Sequence, residues 1–404
     1  MSNTLKFGNG TWATKKGSTL AYNDENDNYK PLPFTTTRAS GATRVNKEGL
    51  IEVVEGNYPL IDGVVNGCPS HLLEPERTNY SASSELPSTW TYGEFGSGSA
   101  GTITTGKTDM FGGTNAVQVD FPSNAENASL WFGSLTSGLS SGSETSSVYI
   151  KLVGSDTTDK IIQIRTGGNA SEITLSGTEY IRYSASTTLS SNEAINLKIR
   201  PSQGTSIGGF SIIVCQPQSE QASYPTSYIP TQGASATRLA DTASGSGNSE
   251  VFSDSSGVLF ANMAANANDG INKFMSISDG TINNRINIVF DTSNNINARQ
   301  SPGSVNISTS GVNILNSNKI AYEYQSGSQE LWVNGFKIGT RSASTLPSGI
   351  DRLSFDSFNG GDIMYSKTKG IGYYNTALTD AELETLTSYS SLSELVTELN
   401  LNTL

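Results

Sequence analysis

Reactive side chains are what this 404-residue sequence has least of. It carries one histidine, His71, and two cysteines, Cys68 and Cys215. A serine–histidine–acid triad would have to be built on His71. In Pro69-Ser70-His71-Leu72-Leu73 that residue reads instead as structural or as part of an interface. Three scattered His and Cys do not make a zinc site. Small disulfide scaffolds hold more cysteines at closer spacing, so the two thiols read as free and partly buried, in a protein made in a reducing cytosol. Long apolar runs are missing too. No stretch approaches the roughly 20 residues a spanning helix needs, and Met1-Ser2-Asn3-Thr4-Leu5-Lys6 lacks the apolar segment of a signal peptide. The expectation is a soluble chain with no visible export signal and no membrane partner.

Charge is sparse, 15% of residues where about 25% is usual. The balance is acidic, −12, and repels phosphate. With no basic patch interleaved with aromatics, nucleic acid is not an expected partner. Ser, Thr, Asn and Gly fill the remainder. Their short polar groups bond locally to backbone and suit turns and the outward faces of antiparallel strands. Sixteen Tyr and fourteen Phe supply bulk to cover half-buried sheets.

Along the chain, residues 1–80 form an opening segment punctuated by Gly8, Gly10, Gly17, Pro31 and Pro33, with little core of its own. It is expected to pack against a partner or its own copies. Residues 81–240 hold short strand-like runs at regular spacing: Ala116–Phe121, Ser147–Leu152, Ile161–Ile164, Ile195–Ile199 and Phe210–Val214. Such spacing predicts an antiparallel sandwich. Residues 241–248 read as a linker, and 249–390 as a second sandwich. In the latter, Glu330–Val333 and Phe336–Gly339 flank Asn334-Gly335, the strongest local hairpin signal. Thr379, followed by Asp380 and Glu382, reads as a helix N-cap. Leu392, Leu395, Val396 and Leu399 recur at helical spacing in the tail, 391–404. The predicted fold class is all-β: two antiparallel, jelly-roll-type sandwiches after an irregular N-terminal segment, with short helices at the C-terminus. One echo stands out. Arg38-Ala39-Ser40-Gly41-Ala42-Thr43-Arg44 resembles Gly233-Ala234-Ser235-Ala236-Thr237-Arg238, as if both were connectors between modules.

Three further motifs carry a family resemblance. Thr37–Asn46, Gly49–Glu52 and Leu72-Leu73-Glu74-Pro75-Glu76-Arg77-Thr78-Asn79 resemble the opening of bacteriophage tail and virion structural proteins. Tyr224–Thr231 followed by Ala236–Asp241 is similar to the close of their carbohydrate-binding-like sandwich. Leu331–Gly335 and Gly372–Leu383 resemble laminin-G or concanavalin-A-like modules. The resemblance implies a virion appendage subunit of tail-fibre or tail-spike type, located in the virion. It would be a homo-oligomer, a trimer above all, attached through its N-terminal segment to other virion proteins and binding host-surface glycans. A head fibre or capsid decoration protein without glycan recognition, and a polysaccharide depolymerase, are the alternatives.

Candidate chemistry is thin. Retaining glycosidases of the concanavalin-like fold set their acids on alternate strand positions. Asp380, Glu382 and Glu384 alternate, but on a predicted helix, where i and i+2 do not share a face. The expectation is that the chain is not an enzyme. Glycan contact calls for an aromatic platform with planar polar neighbours. Trp90, Tyr92, Trp131 and Phe132 are candidates in the first sandwich, and Trp332, Tyr373 and Tyr374 in the second, Trp332 favouring the core. No cofactor is expected beyond a possible calcium ion. Asn23–Asn28 is rich in oxygen ligands, yet lacks the glycine and terminal Glu of an EF-hand loop and reads as a solvated turn. Asp279 and Asp362 lie in loops of the kind that bind calcium in some laminin-G-like modules.

Overall fold

In the computed structural model, the described residues are 4–63, 69–94, 101–123, 128–132, 138–154, 160–166, 169–190, 193–194, 197–201 and 209–398. Cys68, Val64, Val65, Ile195, Asn196 and Leu399 lie outside them. The described chain is mostly strand, with two short helices, Asp380–Thr387 (α1) and Leu392–Glu398 (α2), both near its end. It divides into two compact units. One comprises Met1–Gly41, Val54–Pro75 and Ala240–Leu404; the other comprises Ala42–Val53 and Glu76–Leu239.

The second of these is a sandwich of two five-stranded antiparallel sheets. One runs Thr102–Lys107, Ala116–Phe121, Phe210–Glu220, Gly142–Val153, Ile181–Leu189. The other runs Thr91–Glu94, Ala128–Trp131, Lys198–Pro201, Lys160–Thr166, Asn169–Leu175. Alternation along each strand turns Val117, Val119, Leu130, Val148, Ile150, Ile162, Ile164, Ile199, Ile212 and Val214 into a common core. Each such side chain contributes about 1.5–3 kcal/mol on burial.

The first unit packs a ten-stranded sheet on a five-stranded one. The long sheet includes, in order, Phe336–Arg341, Ser328–Val333, Asn318–Gln325, Ser256–Ala265, Ser366–Tyr374, Leu5–Gly8, Ala21–Asn23 and Lys30–Pro31. The short one runs Val305–Ser308, Ile296–Ser301, Arg285–Phe290, Lys273–Ser278, Arg352–Ser354. The opening residues are therefore not a separate segment. Leu5–Gly8 pairs with Ser366–Tyr374, and Leu5, Phe7 and Ala21 join the core made by Leu259, Met263, Ile286, Ile288 and Tyr322. Weak in apolar residues, the opening segment finds its core in the C-terminal sandwich of its own chain. Residues 241–248 are no linker either. Thr242–Ser244 pairs with Phe34–Thr37, and Ser246 is buried, its hydroxyl donating to the Leu32 carbonyl at 2.6 Å. Short polar residues there signal buried strand ends, where hydroxyls satisfy backbone groups.

The Asn334-Gly335 hairpin forms as expected, with φ of 50° and 87° at the two turn residues. Thr379 caps α1: its hydroxyl accepts from the Glu382 amide, while the Glu382 carboxylate accepts from the Thr379 amide at 2.8 Å.

Arg38 and Asp241 form a buried ion pair in the first unit, Nη1 to Oδ1 at 2.8 Å. Arg38 also donates to the carbonyls of Ser40 and Glu55, at 3.0 and 2.9 Å, and Asp241 Oδ2 accepts from the Glu74 amide at 3.1 Å. These four partners stand at the four places where the chain passes from one unit to the other. The first copy of the sequence echo thus marks a junction.

Candidate functional site

The outer face of the ten-stranded sheet holds the site, and two halves of that face differ. Over one half lies α1. Val258, Ala321, Trp332 and Tyr374 from the strands close with Leu383 into a small second core. Trp332 belongs to it, 5% exposed, its indole N–H donating to Glu330 Oε2 at 3.1 Å. Glu323 and Glu330 face each other across neighbouring strands beneath the entry to α1. They are 3% and 8% exposed and engaged by protein donors, Leu378 N–H on Glu323 at 2.8 Å and Lys337 Nζ on Glu330 at 3.0 Å. Burial raises the Glu323 pKa above the ordinary carboxylate range.

The other half is open. A groove of about 380 Å³ runs across the strands Leu5–Gly8, Ser366–Tyr374 and Ser256–Ala265. Its depth comes from glycine: Gly8 pairs with Gly370, and Lys6 with Gly372, so no side chain rises from three of these four positions. Around this floor stand Tyr22, Phe260, Asn262, Lys319 and Glu394. Asn262 Oδ1 accepts from Ser317 Oγ at 2.7 Å, and its NH2 has no protein partner among the described residues. Lys6 is paired with Asp24, and Lys319 with Glu394 at 2.8 Å. Burial opposes the Glu394 charge, but Lys319 and Ser390 outweigh it and hold the pKa down to about 2. Donors, acceptors and two rings thus surround a floor with little net charge. None of the aromatic candidates had singled out Asn262 or Tyr22. The alternating run Val258–Met263 contained the only signal, since Asn262 falls on the face opposite the core.

The predicted platform residues are not brought together. Trp90 is in the core of the 76–239 sandwich, 5% exposed, edge-on to Phe132 and donating to the Ser83 carbonyl. Tyr373 is wholly buried and hydrogen-bonded to Tyr324 at 2.7 Å. Neither offers a ring face to a ligand; both fill space that smaller residues would leave void. Tyr92 is half-buried against the same core as Trp90. Trp131 is half-buried, opposite Lys198 in the strand pairing, with Lys198 Nζ 3.5 Å from its ring centroid. His71 is structural: fully buried among Phe7, Trp12 and Phe355, with burial pushing its pKa down to about 3.

The calcium expectation finds no cluster of three or more acidic, His or Cys ligands among the described residues. Asp279 turns inward on its own loop. It accepts from the Thr281 amide and hydroxyl and from the Asn284 amide, at 2.8, 2.6 and 2.9 Å. Burial works against its charge, and those hydrogen bonds prevail, lowering its pKa. Asp362 is exposed at φ 49° and contributes its carbonyl to the Phe274 amide.

No protein-family model and no curated protein matches this chain. Among solved structures it is similar to the carbohydrate-binding module of a Ruminococcus gnavus sialidase, at 16% identity and TM-score 0.31, over 36% of this chain and 94% of that one. It is similar to domain 4 of a Geobacillus stearothermophilus arabinanase in complex with arabinotriose, at 12% identity and TM-score 0.31, over 41% and 82%. Trypanosoma rangeli sialidase in complex with sialic acid is a third, at 9% identity and TM-score 0.30, over 91% and 65%. The expectation that the chain is not an enzyme is corrected by these neighbours, which include sialidases and glycoside hydrolases. Likeness at this level assigns no activity. What stands is an all-β protein of packed antiparallel sheets.

Proposed function

We propose that this protein is a subunit of a bacteriophage virion appendage, of tail-fibre or tail-spike type, that holds host-surface glycans in the groove of its ten-stranded sheet. The observation that carries the reading is the groove: its size suits one or two sugar rings, and its walls combine Tyr22 and Phe260 with the Asn262 amide and the paired Lys319 and Glu394. Sugar rings present C–H faces to aromatics and hydroxyls to groups that both donate and accept. The near balance of charge favours neutral sugars. The virion assignment rests on the motifs at Thr37–Asn46, Leu72–Asn79 and Tyr224–Asp241. Binding by single sites of millimolar strength gains about 10²–10⁴ when a homotrimer presents several at once.

Two measurements test this. The full chain and its Asn262→Ala and Phe260→Ala variants are applied to an array of host-surface glycans. Binding by the parent, weakened about tenfold or more in both variants, is expected; a silent array, or binding indifferent to both substitutions, sinks the groove assignment. Antibody labelling of intact phage particles is expected to mark a tail appendage, and labelling of the capsid shell refutes the tail assignment.

A further inference from the structure

The five-stranded sheet of the same unit has an outer face of a different kind. Its inward residues, Met275, Ile277, Ile286, Ile288 and Ala298, belong to the core. The alternate positions between them carry Ser276, Asn287 and Arg299, which lie in one cross-strand row: Ser276 pairs with Asn287, and Asn287 with Arg299. Arg285 stands one pleat away on the same face. A row of polar residues on an outer sheet face is ordinary when water reaches it. Here water reaches only part of the row: Arg285 and Arg299 are half-buried, and the residues between them are covered. Ser276 is 0% and Asn287 2% exposed. Ser276 Oγ, Asn287 Oδ1, Arg285 Nε and Arg299 Nε are all buried without a hydrogen-bond partner. Four such atoms in adjoining positions are a concentration that folded proteins avoid, because each gave up water for nothing.

The charges repeat the pattern. The carbons of the Arg285 and Arg299 guanidinium groups lie 5.9 and 5.6 Å from the centroid of the one Phe274 ring, so the two cations share a neighbourhood. Arg285 donates to the Ser357 carbonyl at 2.9 Å and lies 5.0 Å from the Phe358 ring. Neither arginine has a salt bridge among the described residues, in a chain with 37 acidic side chains against 25 basic ones. Burial and then Arg299 lower the Arg285 pKa, while Asp362 only partly opposes them. Two like charges on one half-buried face, balanced only in part by Asp362, favour an anion from outside the chain.

We infer that this face is a second binding site, for the carboxylate of an acidic sugar such as a uronic acid. The planar guanidinium forks of Arg285 and Arg299 match a carboxylate. Phe358 offers an apolar edge to the ring that bears the carboxylate. The site stands apart from the groove, on the opposite sheet, and takes charged rather than neutral sugars.

Calorimetric titration of the full chain with sodium glucuronate, glucose and sodium sulfate tests the site. Saturable glucuronate binding with none by glucose is expected. Arg299→Ala is expected to weaken it about tenfold or more, Arg299→Lys less, and the exposed Arg341→Ala not at all. Thermal melts establish that each variant is folded, and Arg299→Lys stands in if the alanine variant is not. No saturable glucuronate binding, equal loss in Arg341→Ala, or binding of sulfate without glucuronate overturns the proposal. Glucuronate binding that survives Asn262→Ala separates this site from the groove.

Discussion

Asp241→Ala is the substitution from which most can be learned. The side chains of Arg38 and Asp241 are 1% and 3% exposed, so removing the carboxylate leaves a guanidinium buried without its counter-charge and strips the Glu74 amide of its acceptor. Breaking a buried pair from one side costs about 3–5 kcal/mol. A domain is held by roughly 5–15 kcal/mol, so this is a large share. For a unit of this size about 1 kcal/mol shifts the midpoint by about 2–4 °C, which predicts a fall of very roughly 6–20 °C. The loss is expected in the unit that contains residues 1–41, 54–75 and 240–404, since Ser40, Glu55 and Glu74, which bond to the pair, lie there. Calorimetry of the full chain should therefore show one transition moving and the other staying. The double variant Arg38→Met, Asp241→Leu replaces both charges with apolar groups and should recover most of the loss, because the desolvation cost vanishes along with the attraction. A shift worth less than about 1 kcal/mol in Asp241→Ala, or a double variant no better than the single, refutes the reasoning.

His71 predicts an acid sensitivity of definite sign. In the unfolded chain it titrates near 6.5, and in the folded protein near 3. Between those values only the unfolded state takes up the proton, so stability is full above about pH 6.5 and falls as pH drops toward 3, by about 1.4 kcal/mol per unit; urea midpoints at pH 7 and 4.5 should show this slope reduced in His71→Leu, and an unchanged slope refutes it. Helix α2 buries no side chain, and two ion pairs tie it down, Lys319–Glu394 at 2.8 Å and Lys369–Glu398 at 2.6 Å. Raising salt from 50 mM to 1 M should speed its amide exchange severalfold, whereas a salt-independent rate would show that something else holds it. At Gly335 a side chain would face both a φ of 87° and Ser388 Oγ at 2.7 Å, so Gly335→Val should destabilise by about 1–3 kcal/mol in a urea titration.

What was legible in the sequence was what depends on neighbours in the chain. The Asn334-Gly335 turn, the Thr379 capping box and the alternation of Ala116–Phe121 each follow from a few consecutive residues, and each is where it was expected. What was not legible depends on residues hundreds of positions apart. Leu5–Gly8 looks like an isolated scrap until Ser366–Tyr374 lies beside it. Thr242–Ser244 reads as a flexible tether because short polar residues serve buried strand ends and solvated loops equally well. Aromatic rings misled for a related reason: sequence gives their size but not the side from which the sheet is covered, and Trp90 and Tyr373 went to cores. The same logic explains why the arginine face was invisible. Ser276, Asn287 and Arg299 are three unremarkable polar residues on three strands, and only the register, Ser276 against Asn287 and Asn287 against Arg299, sets them side by side. A one-residue slip in either pairing would turn one of them into the core and replace it with an isoleucine or alanine. The register is pinned by apolar residues that have no part in binding. Chemistry on such a face is thus specified by the packing behind it, and a substitution such as Ile288→Ala should weaken glucuronate binding only to the extent that it unfolds the sheet.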